Sequence, residues 1–167
     1  MSDYTHGGDI YSYPGSLLDF SANISPLGLP QNVKSALIAS MDHWDRYPDS
    51  KCRELRTALA NVHAVPERYI SCGNGAAELI YKVAQVIRPC RAMVTAPTFS
   101  EYRQALCSVG CGVEDYPLSE QHAFCLTEQF QTVLDQPLEL LVLCNPNNPT
   151  GQPIDPNLLG RILEACA

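Results

Sequence analysis

The sequence predicts an α/β fold with a mainly parallel sheet over residues 66–167, preceded by an N-terminal arm over residues 1–65. Two observations predict it. From about Ile70 onward short apolar runs alternate with helical patterns, as crossovers between parallel strands require. Leu140 to Cys144 is an unbroken apolar run, the pattern of a strand covered on both faces, and the Asn and Pro residues after it end that strand at its carboxyl edge, where open α/β sheets bind ligands.

In the arm, Pro26, Gly28 and Pro30 break the early segment, and Gln31 to Met41 and Cys52 to His63 read as helices. Arg68 to Cys72 reads as a short strand. Ala76 to Ile87 reads as a helix, because Leu79, Ile80, Val83, Ala84, Val86 and Ile87 fall at the spacing of a buried stripe, and Pro89 stops it. Arg91 to Thr95 is the next predicted strand, Phe99 to Ser108 a helix, Gly112 to Tyr116 a strand, Thr127 to Leu134 a helix and Glu139 to Cys144 a strand. The last helix begins near Asp155, with Pro156 in its first turn, an N-cap and N1 pair. No linker, repeat or low-complexity tract interrupts the chain.

The bulk properties exclude several classes. With 167 residues, a formal net charge of −7 and 11 scattered Lys and Arg, the chain has no basic surface for nucleic acid. No window approaches the roughly 20 apolar residues that cross a bilayer, and the first residues lack a secretory signal, so a cytoplasmic protein is expected. The 8 cysteines form no C-x-x-C pair, and Cys107-x-x-x-Cys111 has no second pair or nearby histidine to complete a zinc site. No metal is expected. Reduced thiols packed as small hydrophobes, notably Cys72 and Cys144, account for them.

Two motifs carry chemistry. Asn145-Pro-Asn-Asn148-Pro-Thr-Gly151 holds its amides on a loop stiffened by proline, where an Asn can donate to a ligand oxygen. Cys72-Gly-Asn-Gly-Ala-Ala-Glu78 puts two glycines between a predicted strand and a helix, where free N–H groups and the helix dipole favour an anion. It is neither a Walker loop nor G-x-G-x-x-G, and a plain strand-to-helix turn also fits it. Pro97 to Tyr102 opens the following helix and offers an aromatic face; Phe99 and Tyr102 also fit as core aromatics.

These motifs together resemble the fold-type I pyridoxal-phosphate enzymes, the aspartate-aminotransferase superfamily of class I and II aminotransferases. The resemblance implies a partial large domain of that fold. It also implies that Asn148 reaches the cofactor's phenolic oxygen, that the amides of Gly75, Ala76 and Ala77 hold its phosphate, and that Tyr102 lies on its ring. Arg46-Tyr47-Pro48-Asp49 is similar to a segment of histidinol-phosphate aminotransferase-like enzymes whose tyrosine, here Tyr47, reaches the phosphate across a homodimer. His6-Gly7-Gly8-Asp9 and Leu18 to Gly28 look most like the threonine-phosphate decarboxylase branch, which makes aminopropanol phosphate from O-phosphothreonine in cobalamin synthesis. His6, Gly7, Gly8 and Asn23 are then candidates for the anionic groups of a phosphorylated amino acid, through N–H groups and a donor ring nitrogen. A frayed terminus with a Gly turn is the plain alternative.

The resemblance also places the Schiff-base lysine beyond Gly151, and Gln152 to Ala167 contains none. The expectation is therefore an N-terminal piece, inactive as it stands, with exposed apolar surface. A histidinol-phosphate aminotransferase piece, and a non-catalytic module that binds a phosphorylated metabolite or a partner, are the alternatives.

Overall fold

β1, Arg91–Ala96, organises the sheet: Ala92, Met93, Val94 and Thr95 are all buried in this computed structural model, which describes residues 7–166. The chain divides into two units, Met1–Ile70 and Ser71–Ala167.

In the second unit three parallel strands run in the order β2-β1-β3, with β2 at Gly112–Pro117 and β3 at Leu140–Val142. Side chains of a strand alternate between faces, so β1 feeds two cores. Ala92 and Val94 join Ala84 of α3 (Gly75–Ile87) and Ala105 and Leu106 of α4 (Ser100–Ser108) on one face. Met93 joins Phe130, Val133 and Ile154, with Leu158 and Ile162 of α5 (Pro156–Ala165), on the other. Each fully buried side chain of the size of Leu158 contributes about 2 kcal/mol of transfer free energy. Asp155 caps α5 as expected, its carboxylate accepting the N–H groups of Asn157 and Leu158 at 2.9 and 3.1 Å.

Four expectations need correction. Arg68 to Cys72 is not a strand: Glu67–Tyr69 is a 3₁₀ turn and Ile70 is extended but belongs to no ladder. An extended segment becomes a strand only with a neighbour to bond. Thr127 to Leu134 is not an α-helix but a 3₁₀ segment, Glu128–Val133, whose three-residue period sets Phe130 and Val133 on one side, into the core. The run from Leu140 to Cys144 is half-buried rather than covered on both faces, because among the described residues β3 pairs only with β1 and its other edge has no strand beside it. For the same reason Cys144 is half-buried, as is Cys72 outside the sheet, and the buried thiol is Cys111.

In the first unit α1 (Gln31–Ser40) and α2 (Arg53–His63) have no buried residue. The Arg56 guanidinium donates to the carbonyl of Glu67 at 2.8 Å and the Thr57 hydroxyl to its carboxylate at 2.7 Å, fastening α2 to the turn after it. Apolar side chains stand exposed in both units, among them Leu18, Phe20 and Leu27 in the first and Val86 in the second. No helix among the described residues is long and apolar enough to cross a membrane.

Candidate functional site

α4, which follows β1, covers one face of the sheet, whereas the 3₁₀ segment between β2 and β3 and α5 cover the other. Strand order therefore reverses between β1 and β3, and a crevice forms where the loops leaving their carboxyl ends part. Asn147, 7% exposed, spans it. Its Oδ1 accepts from the Thr98 hydroxyl at 2.8 Å, and its Nδ2 donates to the Pro97 carbonyl at 3.0 Å and the Thr150 hydroxyl at 2.9 Å. Asn145 is also committed to the fold, its Oδ1 accepting the Ile154 N–H at 3.0 Å. The Ala96–Pro97, Asn145–Pro146 and Asn148–Pro149 bonds are cis. Asn148, half-buried, is the third amide of this loop, held by its neighbour's three bonds.

Tyr102 sits in the first turns of α4, edge-on to Phe99 with ring centroids 5.7 Å apart. Burial, and then a hydrogen bond with the Cys144 thiol, push its phenol up to about 12. Cys144 in turn donates to the Pro146 carbonyl at 3.4 Å, so the aromatic is tied to the same loop as Asn148. Leu79 and Ile80, one turn beyond Gly75, line a cavity of about 220 Å³ together with Tyr102 and Val142.

The Gly73-Asn74-Gly75 turn opens α3. A Cβ on Gly73 would lie 2.9 Å from Leu79 Cδ2 and 3.0 Å from Glu78 Oε2, so a larger residue there would make both side chains shift. Gly75 has φ +84°, a left-handed conformation, and open space where its Cβ would be. No side chain caps the helix start, and Gly75, Ala76 and Ala77 are exposed. Glu78 instead reaches back to the N–H of Asn74 while pairing with Lys82 at 2.5 Å. Lys82 first and the Asn74 N–H second hold its carboxyl below the usual range. The first N–H groups of a helix have no partner within it, and here no side chain caps them.

The remaining candidates belong to the first unit. Gly7 abuts the backbone of Ser21, and Gly8 donates its N–H to the Ser21 hydroxyl at 2.8 Å. Ser21 donates to Asp19 from both N–H and hydroxyl, at 2.7 and 2.6 Å, and the hydroxyl bond is the larger cause of the lowered Asp19 pKa. The two segments singled out in the arm are thus joined through Asp19 and Ser21, and Asn23 beside them is exposed. His6 lies outside the described residues. Tyr47 is fully exposed, and Asp49 after it accepts N–H groups of Arg53 and Lys51 at 2.9 and 3.1 Å, fixing the entry to α2.

Residues 16–167 match the family Aminotransferase class I and II. The chain belongs to that family. It is 44% identical to the threonine-phosphate decarboxylase of Salmonella typhimurium over 96% of its own length, and it spans 46% of that protein. The family member's structure from Porphyromonas gingivalis, L-threonine-O-3-phosphate decarboxylase, is 27% identical with a TM-score of 0.67, over 80% of this chain and 38% of that one. The histidinol-phosphate aminotransferase of Clostridium acetobutylicum is 28% identical with a TM-score of 0.77, over 89% and 43%. The chain therefore spans less than half the length of these relatives.

Sequence reasoning missed three residues of the site. Thr98, Cys144 and Glu78 each act on a neighbour: Thr98 on Asn147, Cys144 on Tyr102, Glu78 on Asn74. Only Glu78 left a signal, an acidic residue in the first turns of a helix beside a glycine turn.

Proposed function

We propose that this chain forms one side of a pyridoxal 5′-phosphate site, and that the whole protein decarboxylates O-phosphothreonine to aminopropanol phosphate in cobalamin biosynthesis. The observation that carries the reading is the Asn147 bridge, which fastens the loop bearing Asn148 to the segment that leads into Tyr102. The residues present fit the phosphate and ring ends of the group: an uncapped glycine turn with space above it, a half-buried aromatic and a loop amide. When bound, the cofactor supplies an electron sink for cleavage at the substrate's α-carbon.

The amides of Gly75, Ala76 and Ala77 bind the phosphate, with Glu78 holding their turn in shape. Tyr102 supports one face of the ring, held to the loop of Asn148 through the Cys144 thiol. Asn148 donates to the ring oxygen. Lys82, the one lysine in Ser71–Ala167, pairs with Glu78 at 2.5 Å and serves the glycine turn rather than the cofactor. Gly7, Gly8, Asn23 and His6 serve the substrate's anionic groups, and the exposed Tyr47 serves the phosphate of a second copy in a homodimer.

Identity of 44% supports the decarboxylase branch, while the TM-score of 0.77 favours histidinol-phosphate aminotransferase as the second reading. A chimera separates them: this chain replaces the matched part of the Salmonella protein, and product is assayed. Release of carbon dioxide from O-phosphothreonine, dependent on pyridoxal phosphate, supports the first reading. Turnover that instead requires 2-oxoglutarate supports the second, and a folded chimera that fails to bind the cofactor overturns both.

A further inference from the structure

The opposite end of the sheet carries a group of thiols that the cofactor reading does not use. β1 and β2 are parallel, with Arg91 opposite Gly112. Carrying the register one pair back sets Cys90 opposite Cys111. The Gly112 N–H donates to the Cys90 carbonyl at 2.9 Å, the hydrogen bond that closes the Arg91–Gly112 pair and holds the Cys90 backbone beside the start of β2. The Cys90 N–H is fixed as well, donating to the Glu139 carboxylate at 2.9 Å, while the Glu139 N–H donates to the Arg91 carbonyl at 3.0 Å. Both thiols are free, and Cys90 is exposed while Cys111 is buried.

Facing residues of neighbouring strands lie about 5 Å apart, inside the roughly 4.4–6.8 Å between Cα atoms that a disulfide spans. Cys111 is packed in the core cluster of Ala92, Ala105 and Leu106, and Cys90 is close enough to be one of the groups that act on its thiol. Cys107, in the last turn of α4, is the third thiol near this core.

We infer that Cys90 and Cys111 are a dithiol that a small-molecule disulfide oxidises to an internal disulfide, locking the first residues of β1 and β2. The exposed Cys90 thiolate attacks a sulfur of glutathione disulfide; one glutathione leaves as its thiolate and the other stays on Cys90. The Cys111 thiolate then attacks the Cys90 sulfur and expels the second glutathione. Two protein thiols lose two electrons and two protons, and one glutathione disulfide becomes two glutathione thiols. Burial, and then the neighbouring Cys107 and Cys90, raise the Cys111 pKa, so the second step accelerates with rising pH.

The test oxidises the native full chain with glutathione disulfide, alkylates remaining thiols, digests without reduction and maps the products by tandem mass spectrometry. The inference expects a linked pair of peptides carrying Cys90 and Cys111, lighter by two hydrogens. Cys107 and Cys111 share a tryptic peptide, so variants assign the link. It should persist in Cys107→Ser and vanish in Cys111→Ala. The wild-type chain oxidised in urea serves as a control that needs no folded variant: the preference for this pair should be lost there. A link that survives Cys111→Ala and vanishes in Cys107→Ser overturns the inference. So does a native chain in which Cys90 stays glutathionylated with no internal bond, or an equal preference in urea.

Discussion

Replacing Asn147 with alanine removes the bridge that holds the candidate site together. Three side-chain hydrogen bonds are lost, to Thr98, Pro97 and Thr150, at a residue only 7% exposed. A net contribution of about 1 kcal/mol for each gives a loss of about 3 kcal/mol. Domains of this size are stable by only about 5–15 kcal/mol, so the effect is large. With a urea dependence of about 2 kcal/mol per molar, the unfolding midpoint followed by far-UV circular dichroism should fall by about 1.5 M. Thr98→Val removes one of the three bonds and should cost about 1 kcal/mol. Because both variants delete the Thr98–Asn147 bond, the double variant should fall short of the sum by about 1 kcal/mol. A loss below about 1 kcal/mol for Asn147→Ala, or strict additivity with Thr98→Val, would refute the claim that this amide fastens the two loops.

Other expectations follow from the same site. Gly73→Ala drives a methyl into Leu79 and Glu78 and should cost about 1–3 kcal/mol in urea unfolding; a neutral effect would mean that the turn is looser than its contacts imply. Glu78 has its folded pKa below the ordinary 4.5, so its stabilisation of the turn is present above the unfolded value and lost as pH falls through the depressed one. The Asn74 amide shift should therefore titrate in that acid window, and Glu78→Gln should abolish the step. Tyr102 should be the last phenol to ionise in an absorbance titration, near a pH of about 12, and Tyr102→Phe should remove that step. Asp155→Ala strips α5 of its cap and should cost about 1 kcal/mol, which denaturation would read as a smaller midpoint shift than that of Asn147→Ala.

Periodicity made much of the fold legible. α3 and α5 each carry a clear apolar stripe, α5 has a definite start signal in Asp155 and Pro156, and β1 lies within one residue of its expected end. The failures share a cause: they depend on neighbours rather than on local pattern. Nothing in Arg68 to Cys72 reveals that no strand lies beside it, and nothing in Leu140 to Val142 reveals that one edge is open. In the 3₁₀ segment, Phe130 and Val133 are three residues apart, a spacing that an α-helix and a 3₁₀ helix both accommodate. The loop shows the same limit at the site. Asn145, Asn147 and Asn148 all stand next to prolines, and nothing local in the sequence tells that the first two bond to Ile154, Pro97, Thr98 and Thr150 and so build the loop.

The central claim is that the glycine turn and the Asn148 loop open onto one pocket. Amide shifts of the isotopically labelled chain, titrated with pyridoxal 5′-phosphate and in parallel with pyridoxal, test it most directly. The account predicts that Gly75, Ala76 and Ala77 respond to the phosphorylated compound alone, and that the Asn148 side chain responds along the same binding curve. Shifts at the turn and at Asn148 that saturate at different concentrations, or a response at only one of them, would contradict it.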